Sequence, residues 1–117
     1  MKKNLLLVLF LIVSAYSFAQ KGYEKVYAYN KYNKDWAMVK TNSGTYGFID
    51  RKGKAVVLPI YTKIEKFGTY DTDLALVRNI SGGYGFIDRN GKEVIQAIHE
   101  LEYIKTNFKT LKQRSLR

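Results

Sequence analysis

The stretch YGFIDRKGK, Tyr46 to Lys54, returns as YGFIDRNGK from Tyr84 to Lys92. Sliding the chain against itself by 38 positions extends the match: Tyr23–Ile60 falls on Tyr61–Ile98 without a gap, and 18 of 38 positions are identical. A period of this size belongs to architectures whose unit cannot bury its apolar face alone and needs a neighbour of the same kind. Identical packing demands at successive interfaces return the same residues. The repeat therefore constrains the fold more than any single residue does.

Each unit reads as short strands joined by tight turns. WAMVK from Trp36 and LALVR from Leu74 are apolar runs of strand length. TNSGT and NISGG follow, with Gly44, Gly82 and Gly83 expected to supply the positive φ of a hairpin connection. YGFID alternates, Tyr46, Phe48 and Asp50 pointing one way and Gly47 and Ile49 the other. DRKG and DRNG place Asp first and Gly fourth, the preference of a type I turn. KAVVLPI and KEVIQAI form the next strands, with Pro59 marking an end or an edge. YEKVYAY and YTKIEKF space their apolar residues three apart, which fits a bulged strand or a single helical turn. Gly47 and Gly85 are expected where a neighbouring strand or ring must come close. The fold class is all-β: tandem antiparallel β-meander repeats, two units of 38 residues (23–60 and 61–98).

These features resemble the WG-repeat family, also called KWG repeats, of bacterial proteins. The resemblance rests on Ala37-Met38-Val39 and Ala75-Leu76-Val77, on the aromatic-Gly-aromatic-Ile-Asp cores with their following Gly-Lys, and on Pro59-Ile60-Tyr61, Ile64 and Phe67. It covers most of Tyr23 to Ile98. Tyr46 and Tyr84 stand where the family usually has Trp, Ala97 replaces Pro59 in the second copy, and no third YGFID follows. The resemblance implies an extracytoplasmic or envelope-linked protein that binds rather than catalyses.

MKKNLLLVLFLIVSAYSFAQ carries two lysines, an apolar run from Leu5 to Val13, and Ser17-Phe18-Ala19. That is the pattern of a secretory signal over residues 1–19, cleaved before Gln20. The sequence thus predicts export through the secretory pathway, to the periplasm, the outer surface or the medium. The chain contains no Cys. A small exported domain without disulfides must find its stability in packing, and its ten Tyr, six Phe and one Trp suit that need. Absent thiols also exclude Cys-based metal sites and Cys nucleophiles.

The formal charge of +10 falls to +8 when Lys2 and Lys3 are removed, and its excess is concentrated after Ile98. Residues 99–117 form a partial third repeat or a basic capping or tail segment. Leu101, Ile104, Phe108 and Leu111 share one face of a helix, with Lys105, Lys109, Lys112 and Arg114 mostly elsewhere. A last strand is the alternative. Such a segment either covers the open end of the sheet or, as a basic amphipathic helix, meets a membrane surface.

Catalysis finds no support. Asp50 and Asp88 occupy turn positions, Arg51 and Arg89 recur with those turns and are expected to be solvated, and His99 has no nucleophile motif around it. No cofactor, metal or specific nucleic acid is expected. A protein partner or self-association ranks first, because two units leave sheet edges that invite pairing. A glycan stacking on Tyr29, Tyr32, Trp36, Tyr46, Tyr70 and Tyr84 ranks second, against the plainer reading that these rings build the core.

Overall fold

A computed structural model describes residues 22–116; the expected signal segment lies outside them. Seven strands, β1 (Lys25–Tyr29), β2 (Ala37–Lys40), β3 (Tyr46–Ile49), β4 (Ala55–Ile64), β5 (Leu74–Asn79), β6 (Tyr84–Asp88) and β7 (Glu93–His99), precede one helix, α1 (Leu101–Ser115). The strands form one sheet in the order β1-β2-β3-β4-β5-β6-β7, every pair antiparallel. The all-β meander is as the sequence predicts, and the choice left open for residues 99–114 falls to a helix.

The repeat survives as register. Ala37 pairs with Ile49 and Met38 with Phe48, while Ala75 pairs with Ile87 and Leu76 with Phe86, each pair displaced by the same 38 positions. Lys25 and Val26 pair with Lys40 and Val39 as Lys63 and Ile64 pair with Arg78 and Val77. The three-residue spacing of YEKVYAY and YTKIEKF is resolved as bulged strand, with register shifts between Val26 and Tyr29 and between Tyr61 and Lys63. The boundary at 60/61 is periodic rather than structural, because β4 runs through it unbroken.

Both faces of each three-strand unit are buried. Met38, Phe48 and Val57 of the first unit, with Trp36, join Ala75, Val77 and Ile87 of the second in one cluster. Strand alternation puts Ala75, Val77 and Ile87 on the face opposite Leu76 and Phe86, so one face of the first unit packs against the other face of the next. Leu74, Leu76, Phe86 and Ile95, on the second unit's remaining face, pack under Ile104 and Leu111 of α1. Ala37, Val39 and Ile49, on the first unit's remaining face, pack with Tyr23, Val26 and Tyr29.

Turn chemistry holds the strands in place. Asp50 Oδ1 accepts hydrogen bonds from Lys52 N and Lys54 N, both at 2.9 Å, and Asp88 Oδ1 does the same for Asn90 N and Lys92 N. Gly44 and Gly82 have φ of 84° and 96° as expected. Gly83 does not take positive φ; its place is explained by proximity, since a Cβ there would lie 2.8 Å from Ile98 Cα. Gly47 and Gly85 meet the same limit: a Cβ would fall 2.7 Å from Pro59 N and 2.6 Å from Ala97 N. Adding a methyl group against backbone forces the strands apart. Gly85→Ala should therefore lower the unfolding free energy by about 3 kcal/mol, the upper end of overpacking costs, in urea titrations followed by circular dichroism. Gly22→Ala, where a Cβ meets nothing within 4 Å but φ is 80°, isolates the cost of left-handed backbone alone, about 1 kcal/mol.

Candidate functional site

The structure divides the six predicted aromatic site residues among four places. Trp36 is a correction: it is buried, with its ring 5.0 Å from Phe48 and 6.0 Å from Phe67 between centroids, so it belongs to the junction of the two units and not to a surface. Tyr29 donates its hydroxyl to Asp50 O at 2.8 Å and lies under the Arg51 guanidinium, 4.3 Å from its ring centre. Burial raises its pKa, against the opposing pull of Arg51. Tyr70 packs between Phe86 and Phe108, each 5.4 Å away, and Tyr84 joins the same cluster. Only Tyr32 and Tyr46 come together at an opening, so the six do not form a row of stacking platforms.

That opening is a cleft of about 420 Å³ on the first unit, lined by Tyr27, Lys31, Tyr32, Met38, Tyr46 and Ile64, with Thr62 and Lys63 at its side. Strand β1 supplies Tyr27, the loop after it Lys31 and Tyr32, β2 Met38, β3 Tyr46, and the second half of β4 the rest. Desolvation raises the pKa of Tyr32, and the Tyr27 and Tyr46 hydroxyls add to it, which marks three phenols sharing one region. Cations surround it. Lys25 Nζ sits 4.5 Å over the Tyr27 ring, Arg78 Nη1 donates to Thr62 Oγ1 at 3.1 Å, and Lys63 is offset by Glu65 at 3.4 Å. The arrangement offers apolar walls, hydroxyls and positive charge.

Sequence reasoning missed Tyr27, Lys31 and Lys63. Tyr27 aligns with Glu65 and Lys31 with Thr69, so attention to recurring aromatics passed over them, and for these two the difference between copies was the signal; Lys63 recurs as Lys25 and carried no such mark.

A second set of contacts joins the units. Arg89 lies 4.2 Å over Phe67, donates through Nη2 to Thr72 O at 2.6 Å, and crosses to the first unit through Nη1 to Asn33 Oδ1 at 3.0 Å. Arg51 stands in the same way over Tyr29, with Nε donating to Asp35 Oδ1 at 3.0 Å. The expectation that both arginines are merely solvated is thus corrected: each clamps a loop, and Arg89 clamps two units. Adding 38 to Asn33 gives Asp71, and there α1 delivers Lys112, hydrogen-bonded to the Asp71 carboxylate. The helix also supplies a ring. Phe48 has Tyr32 and Trp36 as ring neighbours; Phe86, where Leu74 replaces Trp36, has Tyr70 and Phe108. Helix α1 therefore stands in for a third unit at both a polar and an aromatic contact.

The family model described as WG containing repeat matches residues 46–79 and 84–100. These are WG repeats. The second match stops at Glu100, one residue before α1 replaces the strand that the next WG unit would need. No curated protein and no solved structure matches the chain.

The predicted basic residues lie on α1. Lys112 is engaged with Asp71 and Lys105 with Glu102 at 3.4 Å, whereas Lys109 and Arg114 are exposed. The apolar face of α1, expected either to cover the open end of the sheet or to meet a membrane surface, is turned to the sheet, Ile104 and Leu111 being buried. Among the described residues no helix is long and apolar enough to cross a membrane.

The Lys112 ammonium, aided by the backbone N–H of Asp73, holds the Asp71 carboxyl below the usual Asp range. A depressed folded-state pKa contributes stability that is present above the unfolded value and lost as pH falls through the folded one. Lys112→Met should therefore cost about 1 kcal/mol at pH 7, because the Asp71 side chain keeps 17% of its surface and solvent screens the pair. The difference from the parent chain should begin to shrink below about pH 4, where Asp71 of the unfolded chain takes up a proton, and should close only as pH falls through the depressed folded value. Urea midpoints measured from pH 7 to pH 3 check both statements.

Proposed function

We propose that this WG-repeat protein is an exported, non-catalytic binding module, and that its working surface is the cleft of the first unit. The occupant we assign is a protein segment presenting an aromatic or aliphatic side chain flanked by acidic residues. One observation carries the reading. In the second unit, the residues equivalent to Tyr32, Met38 and Tyr46 are Tyr70, Leu76 and Tyr84, and they are covered by protein: Leu101 and Phe108 of α1 pack with them. In the first unit Tyr32 and Tyr46 are only partly covered and, with Met38 as the buried floor against the second unit, they line the open cleft. A surface that accepts Leu and Phe from its own chain in one copy is chemically prepared to accept them from another chain in the other copy. Lys25, Lys31, Lys63 and Arg78 around the opening favour an acidic flank.

A glycan is less well served, because stacking on sugar rings needs aromatic faces in a row and only Tyr27, Tyr32 and Tyr46 reach the cleft. The two readings separate by selection. Phage-displayed peptides panned on the folded chain should converge on a Leu or aromatic anchor beside Asp or Glu. Their affinity should fall at least about tenfold with Tyr27→Ala and again with Lys63→Glu, the loss of one anchor contact and one charge attraction. Failure to converge, together with oligosaccharide binding that Tyr27→Ala abolishes, would replace the protein-segment reading with the glycan one.

A further inference from the structure

The two ends of the repeat array are not alike. At the C-terminal end α1 covers the second unit. At the N-terminal end Tyr23, Val26 and Tyr29 repeat Tyr61, Ile64 and Phe67 at a shift of 38. Tyr61 and Ile64 are 3% and 6% exposed because Trp36, Met38, Phe48 and Val57 seal them. Tyr23, Val26 and Tyr29 are only half-buried, with no such layer among the described residues. The molecule thus presents one half of its own internal junction, and hides the matching half, Leu74, Leu76, Phe86 and Ile95, beneath a helix.

We propose that this N-terminal face is a docking surface for the second unit of another copy of the chain, in direct competition with α1. The internal junction shows what the contact looks like: Arg89 of the later unit reaches Asn33 of the earlier one. Between copies, Arg51 takes the part of Arg89 and Asp71 the part of Asn33. Arg51 is already posed, stacked on Tyr29 and bonded to Asp35, with 53% of its side chain exposed. Asp71 is the charged version of Asn33, so the pair between copies is an ion pair where the internal one is not. Lys112 occupies Asp71 in its place. The helix is held by modest means: Ile104 and Leu111 buried, Leu101 and Phe108 partly so, no side-chain cap at Glu100, and a single residue, Glu100, between β7 and α1. With α1 docked the chain is a closed monomer. With α1 lifted, each copy carries a donor face and an acceptor face that differ, and such head-to-tail contacts extend instead of closing.

The native absence of Cys makes the test clean. Copies carrying Arg51→Cys and copies carrying Asp71→Cys, which also releases Lys112, are mixed and mildly oxidised; the expected product is the mixed dimer in excess over either like pair. In parallel, light scattering on Lys112→Glu and on Phe108→Asp across a concentration series should show the mass at least doubling while the parent chain stays monomeric. Adding Arg51→Glu to either variant should return it to a monomer, which ordinary aggregation through exposed apolar surface would not do. If Phe108→Asp loses its circular dichroism signal, Lys112→Glu alone decides. A folded Lys112→Glu chain that stays monomeric at millimolar concentration, an association that Arg51→Glu leaves unchanged, or like-pair cross-links in equal yield would each overturn the proposal.

Discussion

Everything in this structure depends on the burial of one face of a three-strand unit against the opposite face of the next. A single antiparallel unit with large apolar residues on both faces is not a stable object in water, since one of its faces is always left without a partner. Phe48, Ile49, Phe86 and Ile87 are all at 0% exposure, which requires layers on both sides of β3 and β6. That requirement explains Gly47 and Gly85, where β4 and β7 come too close for a side chain, and the aspartate turns that return the chain at a fixed height. It also explains why the ends need separate solutions: Tyr23, Val26 and Tyr29 at one, α1 at the other.

The cap is more than a greasy lid. Lys112 meets Asp71 where the array's own pattern would bring an arginine, and Phe108 supplies the ring that Trp36 supplies in the first unit. Differences between the copies occur in such compensating sets. Glu93 replaces Ala55 and accepts hydrogen bonds from the Tyr61 hydroxyl and, at 3.2 Å, from Ala97 N, a donor that Pro59 lacks in the first copy. Burial and the neighbouring Glu93 carboxylate push the Tyr61 hydroxyl far above the ordinary tyrosine range, so it remains the donor in that pair.

The antiparallel meander, the turns and most glycine placements were legible in the sequence because each follows from local rules, the period of two, the Asp-x-x-Gly turn and the cost of a Cβ near backbone; Gly83, expected at positive φ, is instead required by the approach of β7. The helix was legible as a face, Leu101, Ile104, Phe108 and Leu111, though not as a choice over a strand, because the side it packs on is contributed by distant strands. The cleft was not legible. Tyr32 and Tyr46 stood out as recurring rings, but Trp36 recurs as Leu74 and turned out to be core, Tyr27 and Lys31 have Glu65 and Thr69 in the other copy, and Lys63 repeats Lys25 as one charge among many. What makes a surface available is the absence of a covering element, and a sequence pattern describes only elements that are present.

If stacking couples the units, the cap on the far face of the second unit must stabilise the first. Trp36, the sole Trp and buried at the junction, reports that coupling directly. The decisive measurement is urea unfolding of Phe108→Ala followed by Trp fluorescence and by far-ultraviolet circular dichroism in the same samples. The stacked account predicts one transition, with both signals shifted to lower urea by the same amount, corresponding to about 2–3 kcal/mol for a partly buried ring. A fluorescence midpoint that stays at the parent value while the dichroism midpoint falls would contradict it.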